Sequence, residues 1–582
     1  MPRAKLKHLW NRLRFQRQSR VLRSARTLPP WMVQLQRTGY ALSGATLVLL
    51  ILQSGLRWQL PHPLPLLGRI VQALLLLAFL VDATMTWAYT FPKRAYIKRH
   101  FVDILAVVPP LLNLISLSTA GGIIIIRYFI VLMRRFVQTP KFNRMIQGVR
   151  LNTAQIVVLS FLTTIAIGAV LLTFPAATTD GQGASLTDAV FTATSATCVT
   201  GLIVQDTPSY FTAFGQIVIL VLIQLGGLGI MTYSAFVALL FGRFTFGQRQ
   251  MMQEMLDEDK NVYSMIFYIF RMTFIAELIG ALLLFSRWLF DFESPLTALY
   301  FSAFHSISAF CNAGFSLFSD SLMRYSGDAV VNLTIMGLIT VGGLGFIVVH
   351  DINRKLRHKG RLSPHSKLVL AASAVLVIAG FLTIFFFEFD GQLTGKPLTG
   401  QLWTALFQSV TARTAGFNTL EVGKLSRITL TILIGLMFIG ASPGSTGGGI
   451  KTSTFAVLLL SIRSTLLGRQ RVEVLKRTIP DSAVRKSLAL TVSAGLVVIV
   501  AFILLMSWQP QNSVDLFFET VSAFGTVGLS TGVTPELTLQ GRWLVAMLMF
   551  LGRIGPLTLG IALARGVRRA RIGYPDARIL IG

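Results

Sequence analysis

Phe191 to Thr207 reads FTATSATCVTGLIVQDT, and its pattern returns three more times along the chain. Phe304 to Phe318 reads FHSISAFCNAGFSLF, Phe407 to Thr419 reads FQSVTARTAGFNT, and Phe518 to Thr531 reads FETVSAFGTVGLST. Aligned on Gly201, Gly314, Gly416 and Gly528, the copies follow one another at intervals of 113, 102 and 112 residues. Each is a Ser/Thr-rich segment too short to span a bilayer, closed by a glycine-centred stretch and set between two long apolar runs. A second landmark lies downstream of each: Gly226-Gly227-Leu228-Gly229, Gly342-Gly343-Leu344-Gly345, Gly440 to Gly449, and Gly552-Arg553-Ile554-Gly555. Two aligned landmarks per unit identify a fourfold internal repeat, which constrains the fold before any single residue is weighed.

Composition agrees with that reading. The 582 residues are 53% hydrophobic and 13% charged, with a mean hydropathy of +0.65; this excludes a soluble globular chain and points to an all-α polytopic membrane protein. Lys and Arg number 53 against 24 Asp and Glu, a net charge of +29. In a soluble chain that charge suggests nucleic acid, but here the bases sit in short clusters between apolar runs and report topology. Met1 to Thr38 holds ten bases and no acid. It lacks the brief apolar core of a secretory signal and reads as a cytoplasmic arm, with a nucleic-acid-binding arm as the other reading. Basic clusters at Arg354 to Arg361, Arg463 to Arg477 and Arg565 to Arg571 place those loops and the C-terminus inside, so the four glycine segments dip in from outside. The stretch 242–261 is the exception: Glu254, Asp257, Glu258 and Asp259 make it a solvated loop or a docking surface. Cys198 and Cys311 have no C-x-x-C or Cys/His companions, which excludes a disulfide framework and a structural zinc site.

The expected organisation is a basic arm (1–38), a four-helix membrane domain (39–138), a linker (139–151), four pore repeats (152–250, 251–360, 361–475, 476–565) and a cytoplasmic tail (566–582). That amounts to about twelve spanning helices. Backbone N–H and C=O groups cannot face lipid unpaired, so four glycine-bearing stretches at membrane depth must be buried in protein or line a water-filled path. Four of them around one axis make a pore. Stripping water from a monovalent cation costs roughly tens of kcal/mol unless other oxygens replace it, and rings of backbone carbonyls do so. A segment such as Thr197-Cys198-Val199-Thr200-Gly201 spans at most about 17 Å, enough for a few successive sites. Its counterparts are Phe310-Cys311-Asn312-Ala313-Gly314, Arg413-Thr414-Ala415-Gly416 and Gly525-Thr526-Val527-Gly528. None contains a carboxylate, which argues against a divalent-cation filter built from a side-chain ring.

Over about residues 152–565 these motifs resemble the Trk/Ktr/HKT superfamily of cation transporters. The resemblance implies four fused helix–pore loop–helix repeats, each like one subunit of a potassium channel. Glycine at all four filter positions then implies a potassium-selective uptake pathway in the cytoplasmic membrane, with potassium held at the filter carbonyls. A sodium or poorly selective monovalent cation pathway is the alternative, favoured if Asn312 and Arg413 distort the carbonyl rings. The family further implies a homodimer, gated by a separate cytoplasmic nucleotide-binding subunit, and no cofactor for conduction. Gly440 to Thr452 cannot hold a helix against lipid and must face the path. By family resemblance, Gly444, Ser445, Thr446, Gly447, Gly448, Gly449 and Lys451 form a gating loop below the filter. The same stretch misses the phosphate-binding G-x-x-x-x-G-K-[ST] spacing by the insertion of Ile450.

Arg553 is an intramembrane charge and therefore a functional candidate. In the family it is a barrier at the pore constriction; the other reading is a partner for a carboxylate or helix end. Asp206, Asp320, Glu421 and Glu536 follow the filters and either concentrate cations at the outer mouth or are ordinary loop acids. His305 and His350 lack the companions of a metal site and read as hydrogen-bonded structural residues. Asp188 and Glu519 lie where they can support the filter from behind, and Glu277 and Glu388 should find internal partners. No convergent acid/base cluster supports a membrane-embedded transferase. Residues 40–137, with Asp82, Asp103, Arg127, Arg134 and Arg135, resemble a voltage-sensor domain, but bases every third position are missing, so a docking or dimer element is expected there.

Overall fold

In the computed structural model the described residues are Gln34, 153–229, 262–358 and 361–563. The basic arm, the four-helix region, the acidic loop 242–261 and the tail 566–582 lie outside them. The chain divides into two units, Met1–Arg150 and Leu151–Gly582, and the second carries the repeats.

Each repeat begins with a long apolar helix: α1 (Thr153–Leu172), followed after the first pore segments by α4 (Val262–Trp288), α8 (Pro364–Phe387) and α12 (Asp481–Trp508). Among the described residues these are the four helices long and apolar enough to cross a membrane, and most of their surface is unburied. Side chains such as Ile167, Phe274, Phe386 and Ile503 are exposed on them, as expected of a face whose solvent is hydrocarbon rather than water.

A short helix follows in each repeat: α2 (Leu186–Cys198), α5 (Pro295–Phe310), α9 (Leu398–Thr411) and α13 (Ser513–Gly525). At 1.5 Å per residue these reach only about 20–24 Å, short of the roughly 30 Å hydrocarbon core. Their composition is too polar for lipid, and Thr192, Ser195, Ser302, Ser308, Thr404, Ser409, Thr520 and Ser522 are all buried in protein. Side-chain caps start two of them: Ser185 Oγ accepts from Asp188 N–H and Asn512 Oδ1 from Val514 N–H.

The third element of each repeat is α3 (Ala213–Gly227), α6 (Ala329–Leu344), α10 (Arg427–Phe438) and α14 (Leu539–Ile554). The two-landmark pattern suggested continuous second spans for three repeats and an interruption in the third. Breaks are in fact more general. A 103° bend separates α6 from α7 (Phe346–His358), and it falls at Gly345, whose φ of +85° is a conformation glycine adopts without steric cost. Gly555, at φ +88°, likewise separates α14 from α15 (Pro556–Leu563). In repeat three the helix stops at Phe438 and resumes as α11 (Thr452–Leu466), leaving Ile439 to Lys451 without helix.

Packing closes the repeats into a ring. α3 lies on α5, α6 on α9, α10 on α13 and α14 on α2, so each inner helix supports the pore helix of the next repeat and the fourth supports the first. Close approach explains the downstream glycines: a Cβ on Gly226, Gly342 or Gly552 would run into the carbonyl of Thr197, Phe310 or Phe524, the residue four before the filter glycine of its own repeat.

Candidate functional site

All four pore helices end towards the same place. Backbone bonds wrap each C-terminus: Thr200 N–H donates to the Ser195 carbonyl, Ala313 to Ser308, Ala415 to Thr411 and Val527 to Ser522, at 2.8–3.0 Å. Such a wrap needs a left-handed residue just past the helix. Val199, Asn312, Thr414 and Thr526 fill that position with φ of +58°, +61°, +71° and +50°. Three of them are β-branched, for which this region is strained; the asparagine is the type that tolerates it best. Asn312 is therefore no disturbance of the ring but its least strained corner.

Two residues on, Gly201, Gly314, Gly416 and Gly528 again have positive φ, from +70° to +95°. A Cβ on Gly201 would stand 2.5 Å from the Ala313 carbonyl oxygen, one on Gly314 2.8 Å from that of Ala415, and one on Gly416 2.6 Å from that of Val527. At Gly528 it would meet the Thr200 carbonyl. Each glycine thus abuts the carbonyl just before the glycine of the next repeat, in the cyclic order one, two, three, four, one. The four segments converge on one axis, with the carbonyls of Thr200, Ala313, Ala415 and Val527 between the corners.

Several expected filter residues lie elsewhere. Thr197, Cys198, Phe310 and Gly525 belong to the last helical turn, because the wrap lets the helix run that far, and Cys311 is the α5 cap residue. Both thiols are free and buried, with Cys311 Sγ 3.7 Å from Gln224 Oε1. Arg413 is directed away from the axis. Its guanidinium reaches the Ser373 carbonyl on α8 at 3.4 Å and lines a cavity of about 290 Å³ with Ile339, Leu370, Val377 and Ala441. It leaves the ring carbonyls undisturbed.

The loop 439–451 lies against one end of the glycine ring. Gly448 N–H donates to Thr526 Oγ1 at 2.9 Å, and a Cβ on Gly447 would collide with the Thr414 hydroxyl. Ser442 and Thr446 donate their N–H groups to the Gly343 and Gly342 carbonyls of repeat two, and Gly449 donates to Gly552 of repeat four. Internal bonds stiffen the loop: Gly440 N–H to the Ile450 carbonyl at 2.8 Å, Ser445 Oγ to the Ser442 carbonyl at 2.6 Å, and Lys451 Nζ to the Gly447 carbonyl at 2.7 Å. Gly444 accepts from Phe346 N–H, the first residue after the α6 bend. Arg553, on α14, donates from its two terminal nitrogens to the Thr446 and Gly226 carbonyls. One guanidinium of repeat four therefore joins repeats one and three; neither partner is a carboxylate, but the Gly226 carbonyl belongs to the C-terminal turn of α3, the helix-end partner of the alternative reading.

The acids beyond the filter behave differently from one another. Asp320 pairs with Arg324 at 2.7 Å and Glu421 with Lys424 at 2.5 Å, which offsets their charge. Asp206 accepts from the Ser209 and Ser319 hydroxyls, tying the loops of repeats one and two, and Glu536 accepts from Gln511 Nε2. Tyr325 donates to Asp291 at 3.0 Å; burial, reinforced by that bond, pushes its phenol up from the ordinary value. Asp188 accepts from Arg542 of repeat four at 2.6 Å and from Gln205 at 3.2 Å. Glu388 accepts from Ser426 N–H at 2.9 Å, and His350 packs edge-on against Tyr268. Arg542 was not singled out by sequence reasoning; a base in an otherwise apolar helix, as for Arg553, is the signal that could have found it.

Known proteins agree with this architecture. A profile of the TrkH family, described as cation transport protein, matches residues 123–568. The chain is 41% identical to the Ktr system potassium uptake protein B of Bacillus subtilis, over 76% of this chain and 99% of that one. It is 42% identical to the protein of that name from Vibrio alginolyticus, over 74% and 94%. It is also 36% identical to the potassium/sodium uptake protein NtpJ of Enterococcus hirae, over 74% and 98%. The crystal structure of the potassium transporter TrkH from Vibrio parahaemolyticus superposes with a TM-score of 0.57 at 18% identity, covering 86% of this chain and 97% of that one.

Proposed function

Because the chain belongs to the TrkH family of cation transport proteins, we propose that it is a membrane pathway for potassium uptake, selected at the ring of Gly201, Gly314, Gly416 and Gly528 and gated by the loop 439–451. The closed cyclic contact of the four glycines with the next repeat's carbonyls carries this reading. Backbone carbonyls converge there with no carboxylate in the ring, the donor set of a dehydrated monovalent cation. Potassium is cargo, bound at these carbonyls, and conduction needs no cofactor. Potassium is favoured over an unselective pathway because Asn312 suits its left-handed corner and Arg413 leaves the axis.

In this reading the filter opens outward, and the basic loops and both termini are cytoplasmic. Arg553 and the loop together keep the path shut. Displacing the loop needs force from the cytoplasmic side, and we assign that to a separate nucleotide-binding subunit acting on a homodimer. Several relatives are named as parts of Ktr or Trk systems, which supports a multicomponent assembly. Residues 39–138 are read as an accessory domain. Growth of a bacterium lacking its own potassium uptake, at limiting potassium, tests the proposal: expression of this chain should restore growth, and expressed, membrane-inserted protein that restores none would overturn it.

A further inference from the structure

The residue two beyond each filter glycine is Ile203, Ser316, Asn418 or Ser530, and the four corners differ in what holds it. At the second corner His305, buried on α5, faces Ser316. Its Nε2 lies 3.0 Å from Ser316 Oγ and accepts from Leu317 N–H at 3.3 Å, while Nδ1 is 2.8 Å from the Phe301 carbonyl. Because Nε2 accepts from an amide, the proton belongs on Nδ1 and the ring is a neutral clamp. At the fourth corner Glu519, buried on α13, accepts from the Ser530 hydroxyl and from Thr531 N–H through one oxygen. Its other oxygen accepts from the Thr534 hydroxyl at 2.7 Å.

These two side chains occupy the same place in their repeats. Each stands three residues before a serine, Ser308 or Ser522, whose hydroxyl donates to the carbonyl just after the filter glycine, Phe315 at 2.8 Å and Leu529 at 2.7 Å. In repeats one and three the place is taken by Thr192 and Gln408. Both amide atoms of Gln408 are buried without a hydrogen-bond partner. Asn418 instead leans on repeat two: its N–H donates to Ser321 Oγ and its carbonyl accepts from Leu322 N–H. The ring order puts repeats two and four at diagonal corners.

We propose that His305 and Glu519 are positioning residues for ion selectivity, acting through Ser316 and Ser530 to hold the outer end of the filter at two diagonal corners, which gives it twofold rather than fourfold rigidity. The inference rests on the ring being the potassium filter. Where a carbonyl cage discriminates by cavity size, its oxygens must be held against collapse onto the smaller ion, so loosening these clamps should cost selectivity before it costs flux.

The test is the potassium-to-sodium flux ratio of the full chain in liposomes. Glu519→Gln and Ser530→Ala should each lower the ratio several-fold, and the double variant should be no worse than the worse single. His305→Leu should act likewise, with His305→Gln, which offers an amide oxygen in place of Nε2, retaining more of the ratio. Gln408→Leu, which removes no hydrogen bond, should leave the ratio unchanged. An unchanged ratio in folded Glu519→Gln and Ser530→Ala would overturn the inference, as would an equal loss in Gln408→Leu. A wild type with no potassium preference would overturn the filter reading itself, which separates the two failures.

Discussion

The Arg553 guanidinium reaches the Thr446 carbonyl, so a charge on the fourth repeat fastens a loop of the third beside the glycine ring. Its second bond, to the Gly226 carbonyl, anchors the same group on the first repeat. Hydrogen bonds to a charged group are worth about 1.5–3 kcal/mol, so losing them shifts the loop's equilibrium by roughly tenfold or more. Arg553→Ala is expected to raise rubidium flux by about that factor. Flux assays on liposomes check this, and unchanged or lower flux in correctly folded protein would remove Arg553 from the gate.

Asp188 and Arg542 tie the first pore helix to the fourth inner helix, where the ring closes on itself. The carboxylate is nearly buried and the guanidinium about a quarter exposed, at 8% and 23%, so the loss should fall below the roughly 3–5 kcal/mol of a fully buried broken pair. Asp188→Asn and Arg542→Gln should each destabilise the protein by roughly 2 kcal/mol, and the double variant by much less than the sum. Thermal unfolding in detergent measures the coupling, and strict additivity would contradict the tie.

Glycines within one helix should respond in opposite ways. Gly342 packs on the Phe310 carbonyl, whereas a Cβ on Gly337 would meet nothing within 4 Å. Gly337→Ala should therefore gain about 0.5–1 kcal/mol from helix propensity, while Gly342→Ala should cost roughly 2 kcal/mol or more through overpacking. Melting temperatures of the two variants decide it; equal shifts would mean that α6 does not lie against the second pore helix.

The repeat, the four glycine centres and the interrupted third inner helix were legible because they rest on periodicity and on what glycine cannot do in lipid. Asn312 and Arg413 looked like defects because a linear sequence does not show that one position needs a left-handed residue or that the other turns outward. The helix breaks at Gly345 and Gly555 are not legible in the sequence, since a glycine in an apolar helix is compatible with either a packing contact or a break, and only the backbone angle separates them. The cyclic order and the unequal corners at His305, Gln408 and Glu519 are properties of assembly, and no spacing along one repeat reports them.

Selectivity at the glycine ring is the central property of the proposed pathway. The direct measurement is the flux of potassium, rubidium, sodium and lithium into liposomes under an imposed potential, for the wild type and for Gly201→Ser, whose new Cβ would press on the Ala313 carbonyl. Wild-type flux should favour potassium and rubidium, with that preference lost in the variant while flux persists. Sodium flux equal to potassium in the wild type, or full selectivity retained in Gly201→Ser, would contradict the proposal.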